Sequence, residues 1–262
     1  MLALEAPLPR DRPGFFHHTP LAALAVLAAA WVVAVAALPA AAARVIGLAA
    51  AHGALVGTAL AWTSVRPRRD RWAPLEAALL LGGAASAALL LPGGALAYTA
   101  MPAWLAWRRP TWLAGFVERP GAAAAGGAIF GLLLGAHLLV NASLTLGYRV
   151  HTGAWAELIG WWAYDVGANV LAAEAFFRGA LFDRAYRRWS FAAAAALSTT
   201  ASVARYLVDP LLPHSPEILA GAGFYLVLLG AGNCWLVART GSLAPPLAAA
   251  SVFFGAYRLL AR

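Results

Sequence analysis

From Leu21 to Leu260 the chain is a near-continuous series of apolar runs, each close to the length that crosses a bilayer. Spanning takes about 20 apolar residues at a rise of ~1.5 Å each. The runs that qualify are Leu21–Ala43, Val45–Val65, Leu75–Leu91, Gly126–Gly147, Leu158–Leu181, Phe191–Val208, Ile218–Ala238 and Leu243–Leu260. A weaker run, Ala95–Trp107, reads as a short ninth crossing, a re-entrant turn or an interfacial helix. Of the 262 residues 62% are hydrophobic and only 11% are charged, whereas a soluble domain carries about 25% charged residues. A globule so poor in charge could not cover its surface with groups that water solvates, so the expected solvent is lipid. The expected fold is an all-α membrane protein, a polytopic bundle of about eight or nine transmembrane helices.

The formal net charge is +8, but its distribution points to topology and not to nucleic acid. Cytoplasmic loops retain Lys and Arg. With the weak run counted as a span and the N-terminus inside, Arg66/Arg68/Arg69/Arg71, Arg108/Arg109, Arg184/Arg187/Arg188 and Arg239 all fall on the cytoplasmic side. The opposite loops hold Pro92–Gly94, His151 and Asp209 to Glu217, with Arg44 and Arg149 as exceptions. This pattern favours nine crossings and an outside C-terminus. The polar lead, Met1 to Pro20, mixes acids with bases and precedes an apolar run longer than the usual h-region of about 7–15 residues, so the first run reads as a retained anchor, although Ala40–Ala43 resembles a cleavage site. The expected organisation is a cytoplasmic segment over 1–20, N-terminal transmembrane helices over 21–150 and a core over 151–262, all within one integral membrane domain. The single cysteine, Cys234, excludes an internal disulfide and a cysteine-based metal cluster.

Trp104, Trp107, Trp112, Trp155, Trp161 and Trp162 lie near span ends, as interfacial aromatics do. Gly127, Gly131 and Gly135 form a small-residue stripe that lets two helix backbones approach. Ionisable groups inside spans are costly and therefore informative. Glu174 and Arg178 stand four apart with the acid first, a favourable order on an α-helix face. His137 and Asn141 form a second pair with that spacing, roughly opposite the glycine stripe, and read as a hydrogen-bonded glue between helices. Asp165 and Asn169 share a face upstream of Glu174, with Asp165 either a buried partner for an arginine or near the outer interface. His52 is alone in its span and is expected to hydrogen-bond a nearby group, and His17 and His18 belong to the polar lead. No set has the spacing of a zinc helix, so no metal and no cofactor are expected.

Three segments together resemble the CPBP family of intramembrane proteases, also called the Abi or CAAX-protease-like family. Ala173-Glu174-Ala175-Phe176-Phe177-Arg178-Gly179 is similar to its first motif, Glu-Glu-x-x-x-Arg followed by Gly. Leu197-Ser198-Thr199-Thr200-Ala201-Ser202-Val203-Ala204-Arg205-Tyr206-Leu207 is similar to its second, Phe-x-x-x-His. Arg239-Thr240-Gly241-Ser242-Leu243-Ala244-Pro245-Pro246-Leu247 is similar to the Arg-Thr-Gly-Ser-Leu-x-x-Pro turn that leads into the last motif, His-x-x-x-Asn. The resemblance covers about Leu158 to Leu260. It implies an intramembrane endopeptidase in which the first Glu activates water and the two His and the Asn complete the site, with a metal proposed there. Relatives process prenylated C-termini or act in bacteriocin maturation and immunity.

Against that pattern the first Glu position is Ala173, the second motif holds Ser202 and Tyr206, and the last holds Ala250 and Phe254. Glu174, Arg178 and the Thr-Gly-Ser turn survive, and the resemblance implies that they hold the fold. Glu174 and Arg178 are the candidate site residues, with Tyr206 as a further one. Tyr206 could donate a hydrogen bond, but a phenol with pKa near ~10 is a poor base. The expected function is that of a catalytically silent homologue, an accessory or scaffold for another membrane protein. Two alternatives stay open: an active endopeptidase with a rearranged site using Glu174, Tyr206 and His137, and a permease or transporter component. Expected partners are membrane lipid and another membrane protein, with no nucleic acid. The Ala-, Arg- and Trp-rich composition suggests a high-GC bacterium and its inner membrane.

Overall fold

The computed structural model describes residues 15–64, 67–150, 153–207 and 216–261. Most of the polar lead, Arg66, His151 and most of the Asp209–Glu217 loop lie outside the described residues. Helices make up nearly all of what is described: α1 (Leu21–Ala37), α2 (Ala40–Trp62), α3 (Pro67–Asp70), α4 (Ala73–Leu90), α5 (Ala100–Arg108), α6 (Pro110–Ala114) and α7 (Pro120–Leu146) in the first part. A helical run over 155–186 follows, then α11 (Phe191–Leu207), α12 (Pro216–Thr240) and α13 (Ala244–Arg258). Within that run α8 (Trp155–Tyr164), α9 (Val170–Ala173) and α10 (Asp183–Tyr186) alternate with two π-helical stretches. A two-residue antiparallel ladder pairs β1 (Arg149–Val150) with β2 (Leu260–Ala261). Four helical stretches, Ala40–Trp62, Arg68–Leu90, Pro120–Leu146 and Leu219–Thr240, are long and apolar enough to cross a membrane. The chain is an all-α, multi-pass membrane protein.

The expected boundaries move where proline and glycine act. The first run ends at Ala37 instead of Ala43, because Leu38 is extended (φ −107°, ψ 154°) ahead of Pro39. A residue before proline is pushed out of the α region, and proline suits the position just outside a helix start. Ala40–Ala43 is therefore the first turn of α2. In α7 the helix begins earlier than expected, with Pro120 in its first turn, and stops at Gly147 in the left-handed region at φ 69°. The weak run is a 3₁₀ helix, Gly94–Thr99, followed by the nine-residue α5, which is about 14 Å long.

The described residues fall into two compact units, one made of residues 15–109 and 153–176, the other of 110–150 and 177–261. In the first, α2 packs on α4. A Cβ on Gly57 would lie 2.1 Å from the Pro74 nitrogen, and one on Gly53 2.7 Å from Ala78. The same unit buries Asp70, whose carboxylate takes Arg108 at 2.8 Å and Arg109 as well. Arg109 also donates to the Leu60 carbonyl at 3.3 Å, and Arg108 reaches Glu76 at 3.2 Å. Two arginines that read as topology markers thus also neutralise a buried acid.

In the second unit, α7 lies along α13 and also meets α12. The expected glycine stripe is this seam. A Cβ on Gly127 would fall 2.1 Å from the Pro245 carbonyl oxygen, and one on Gly131 2.1 Å from that of Ala249. Backbones this close gain dispersion and Cα–H···O contacts that a larger residue forbids. Gly126, on the same helix, faces open space. Gly131→Ala is expected to lower the melting temperature in detergent, with overpacking costing about 1–3 kcal/mol. Gly126→Ala is expected to hold or raise it, since alanine is the better helix former; equal effects at both positions would contradict the seam.

Candidate functional site

The motif Glu174 to Gly179 lies in a π-helical stretch, Glu174–Phe182, and a shorter one, Asp165–Asn169, precedes it. The reading of Glu174 and Arg178 as an α-helical i, i+4 pair is therefore corrected: backbone bonds here run from i to i+5, which changes the angular offset between positions four apart. Such stretches are rare and concentrate at functional sites. Both residues are deeply buried, Glu174 at 3% and Arg178 at 2% exposure.

Arg178 is seated by α11 and α12. Its Nη1 donates to the Ser202 hydroxyl at 2.9 Å. A Cβ on Gly230 would meet Arg178 Nη2 at 2.7 Å and the Thr199 methyl at 2.8 Å, so the bare backbone of α12 makes the room that the guanidinium occupies. Ser198 donates to the Phe177 carbonyl at 2.6 Å, tying α11 to the π-helical backbone itself. Asn233, fully buried, donates to the Pro246 carbonyl at 3.3 Å and so links α12 to the start of α13. Sequence reading missed Ser198, Gly230 and Asn233. Their signal was faint: small or amide residues in helices that read simply as apolar.

The Thr-Gly-Ser turn is bonded throughout. Gly241 is left-handed at φ 62°. The Thr240 hydroxyl donates to the Leu236 carbonyl at 2.7 Å and accepts the Ser242 amide at 3.1 Å. The Ser242 hydroxyl donates to the Leu113 carbonyl at 2.6 Å and accepts the Ala244 amide at 3.1 Å. Backbone bonds from Phe116 to Thr240 (3.1 Å) and from Leu243 to the Trp112 carbonyl (2.7 Å) complete the stitch. Its work is to aim α13.

What α13 and α11 then bring together is apolar. The Tyr206 and Phe254 rings pack with centroids 5.2 Å apart, and Phe254 meets Phe253 at 5.5 Å. The Arg205 guanidinium lies 4.6 Å over the Tyr206 ring. Ala250 is buried at 1%. Three of the positions that the motif resemblance marks for His, His and Asn are thus filled by two aromatic rings and a methyl group. Ala173, at the first-Glu position, is buried at 1%.

The other candidates find local partners. His137 Nδ1 lies 2.7 Å from the Tyr225 hydroxyl on α12, so it glues helices as expected, but with Tyr225 as its partner and not Asn141. Asn169 donates to Asp165 at 3.2 Å within the first π-helical stretch. His52 Nδ1 sits 3.0 Å from the Leu48 carbonyl, and its ring meets Tyr164 edge-on. The His17 and His18 rings meet edge-on. The metal suggested by the family resemblance does not fit these residues. The ligand positions hold no donor suited to a hard or borderline cation except a phenol, and among the described residues no three His, Cys, Asp or Glu gather to hold one.

Comparison with protein families matches residues 154–255 to the family described as Rce1-like, type II CAAX prenyl endopeptidase. Neither the curated proteins nor the solved structures give a match. The matched range contains all three motif segments read from the sequence.

Ser242→Ala removes one donor and one acceptor from a residue buried at 1%. The expected loss is about 1–3 kcal/mol of stability, read as a lower melting temperature. Ser242→Thr, which keeps the hydroxyl, should recover part of it; an unchanged melting temperature in Ser242→Ala would contradict the role given to the turn.

Proposed function

Because residues 154–255 carry an Rce1-like, CPBP-family segment within a multi-pass membrane protein, we propose that this chain is a catalytically silent member of that group and serves as an accessory or scaffold for another membrane protein. One observation carries the reading: the packed Tyr206–Phe254 rings and the buried Ala250 stand where hydrolytic groups belong. Peptide hydrolysis needs a base beside the attacking water and a donor or metal facing the developing oxyanion. Methyl and phenyl groups supply neither, and the Tyr206 phenol offers a hydrogen-bond donor but a poor base. The bond from Arg178 to Ser202 and the Thr240–Ser242 turn position helices.

A rearranged active site would recruit His137 together with Tyr206 and Glu174. The Tyr225 hydroxyl already engages His137 Nδ1, which favours the silent reading. The arginine clusters support a cytoplasmic N-terminus and nine crossings, the Ala-, Arg- and Trp-rich composition supports a bacterial inner membrane, and a scaffold would have lipid and another membrane protein as partners.

In a scaffold, the buried acid of the motif serves assembly. Glu174→Gln removes the charge of a carboxylate buried at 3% exposure, and taking away one member of a buried polar arrangement is strongly destabilising in low dielectric. The expected outcome is a severalfold drop in membrane abundance, with any co-purifying membrane protein lost in proportion. Immunoblotting and mass spectrometry of material solubilised from native membranes read both quantities. Normal abundance of the variant, with a native cleavage product gone, would contradict the proposal.

A further inference from the structure

One end of the first unit carries more positive charge than its own acids balance. Arg68, Arg69 and Arg71 stand within four residues, on α3 and the turn after it, and all three are exposed. Arg108 and Arg109 belong to the same end, because Asp70 binds both. Glu76 takes Arg108 as well, at 3.2 Å. Five arginines thus meet two acids, and the two from α5 and its cap already occupy both. Among the described residues Arg68 and Arg69 have no hydrogen bond or ion pair. The Arg71 guanidinium lies 5.5 Å over the Trp72 ring.

This arrangement suits a phosphate. A guanidinium seated on a ring keeps its N–H edge free, and that edge matches two phosphate oxygens. Three like charges within four residues repel one another, and an anion among them relieves the repulsion. Buried Asp70, bonded to Arg108 and Arg109, gives the exposed arginines a fixed base.

The place of the patch selects the anion. The helical stretch Arg68–Leu90 is long and apolar enough to cross a membrane, and these arginines lie in its first turn. Trp72, at the start of α4, is 40% exposed, and Trp107, beside Arg108, is 71% exposed. Tryptophan rings at span ends lie at headgroup level, so they hold the arginines at the depth of lipid phosphates. A nucleic acid or a free phosphate would use the arginines and give the two rings no apolar cover. A lipid supplies both. A zwitterionic headgroup brings a cation that the arginines repel, whereas an anionic one does not.

We propose that the α3 turn is a docking site for an anionic phospholipid, its phosphate held by Arg68, Arg69 and Arg71, with Trp72 and Trp107 anchoring that end of the unit at headgroup depth. The inference goes beyond the proposed function and requires only that residues 68–90 cross the bilayer, so it stands or falls independently of catalytic silence.

The test is native mass spectrometry of full-length protein in detergent, titrated with phosphatidylglycerol or with phosphatidylcholine. Wild type is expected to prefer phosphatidylglycerol, and Arg68→Gln/Arg69→Gln/Arg71→Gln to lose about a hundredfold of that affinity, roughly fivefold for each arginine. Arg68→Lys/Arg69→Lys/Arg71→Lys, which keeps the charge, should retain most of it. Photo-reactive benzoylphenylalanine in place of Trp72, in an otherwise unchanged chain, should capture phosphatidylglycerol over phosphatidylcholine from vesicles holding equal amounts. That arm decides the matter should the Gln variant fail to fold. Equal binding of the two lipids by wild type, undiminished phosphatidylglycerol binding by the folded Gln variant, equal capture at position 72, or displacement of the lipid by millimolar inorganic phosphate would each overturn the proposal.

Discussion

The backbone of α7 and the backbone of α13 touch: the Ala249 carbonyl oxygen stands where any side chain on Gly131 would have to be. Because only hydrogen fits at that point, the two helices have one register and one relative rotation. That fixes which residues of α13 face inward, Ala250, Phe253 and Phe254 among them. The Thr240–Ser242 turn sets the helix's entry angle, and Pro245 and Pro246 occupy its first turn, where a missing N–H does no harm. The aromatic filling of the matched segment is thus a consequence of a seam one helix away.

Arg178, Ser198, Ser202, Thr240, Ser242 and Asn233 hold backbone and side-chain partners among the π-helical stretch, α6 and α11 to α13. Each removes a buried polar group from the list of costs that an apolar bundle cannot meet. Alanine, tyrosine and phenylalanine stand at the positions that the motif resemblance marks for reactive groups.

Much of this could be read from the sequence. Apolar run length located the helices because lipid forces every spanning segment to satisfy its backbone internally. The glycine stripe on α7 announces its seam, and Gly53 and Gly57 on α2 carry an equivalent signal. Boundaries failed where local chemistry outranked hydropathy, as at Pro39. The π-helical stretches were invisible, since nothing in hydrophobic spacing distinguishes an i+5 from an i+4 register over a few buried apolar residues. The pairing of Asp70 with Arg108 and Arg109 was hidden for another reason: arginines flanking spans read first as topology, and only the fold brings residues 38 and 39 positions apart into contact.

The account rests on the claim that this site lacks the groups to strip a proton from water and steady the anion that forms. The most direct measurement is turnover of membrane-anchored, fluorescence-quenched peptides by purified protein in lipid vesicles, prenylated C-terminal sequences included. The account predicts a rate indistinguishable from protein-free vesicles. A rate that scales with protein, and that vanishes in Glu174→Gln at unchanged melting temperature, would contradict it.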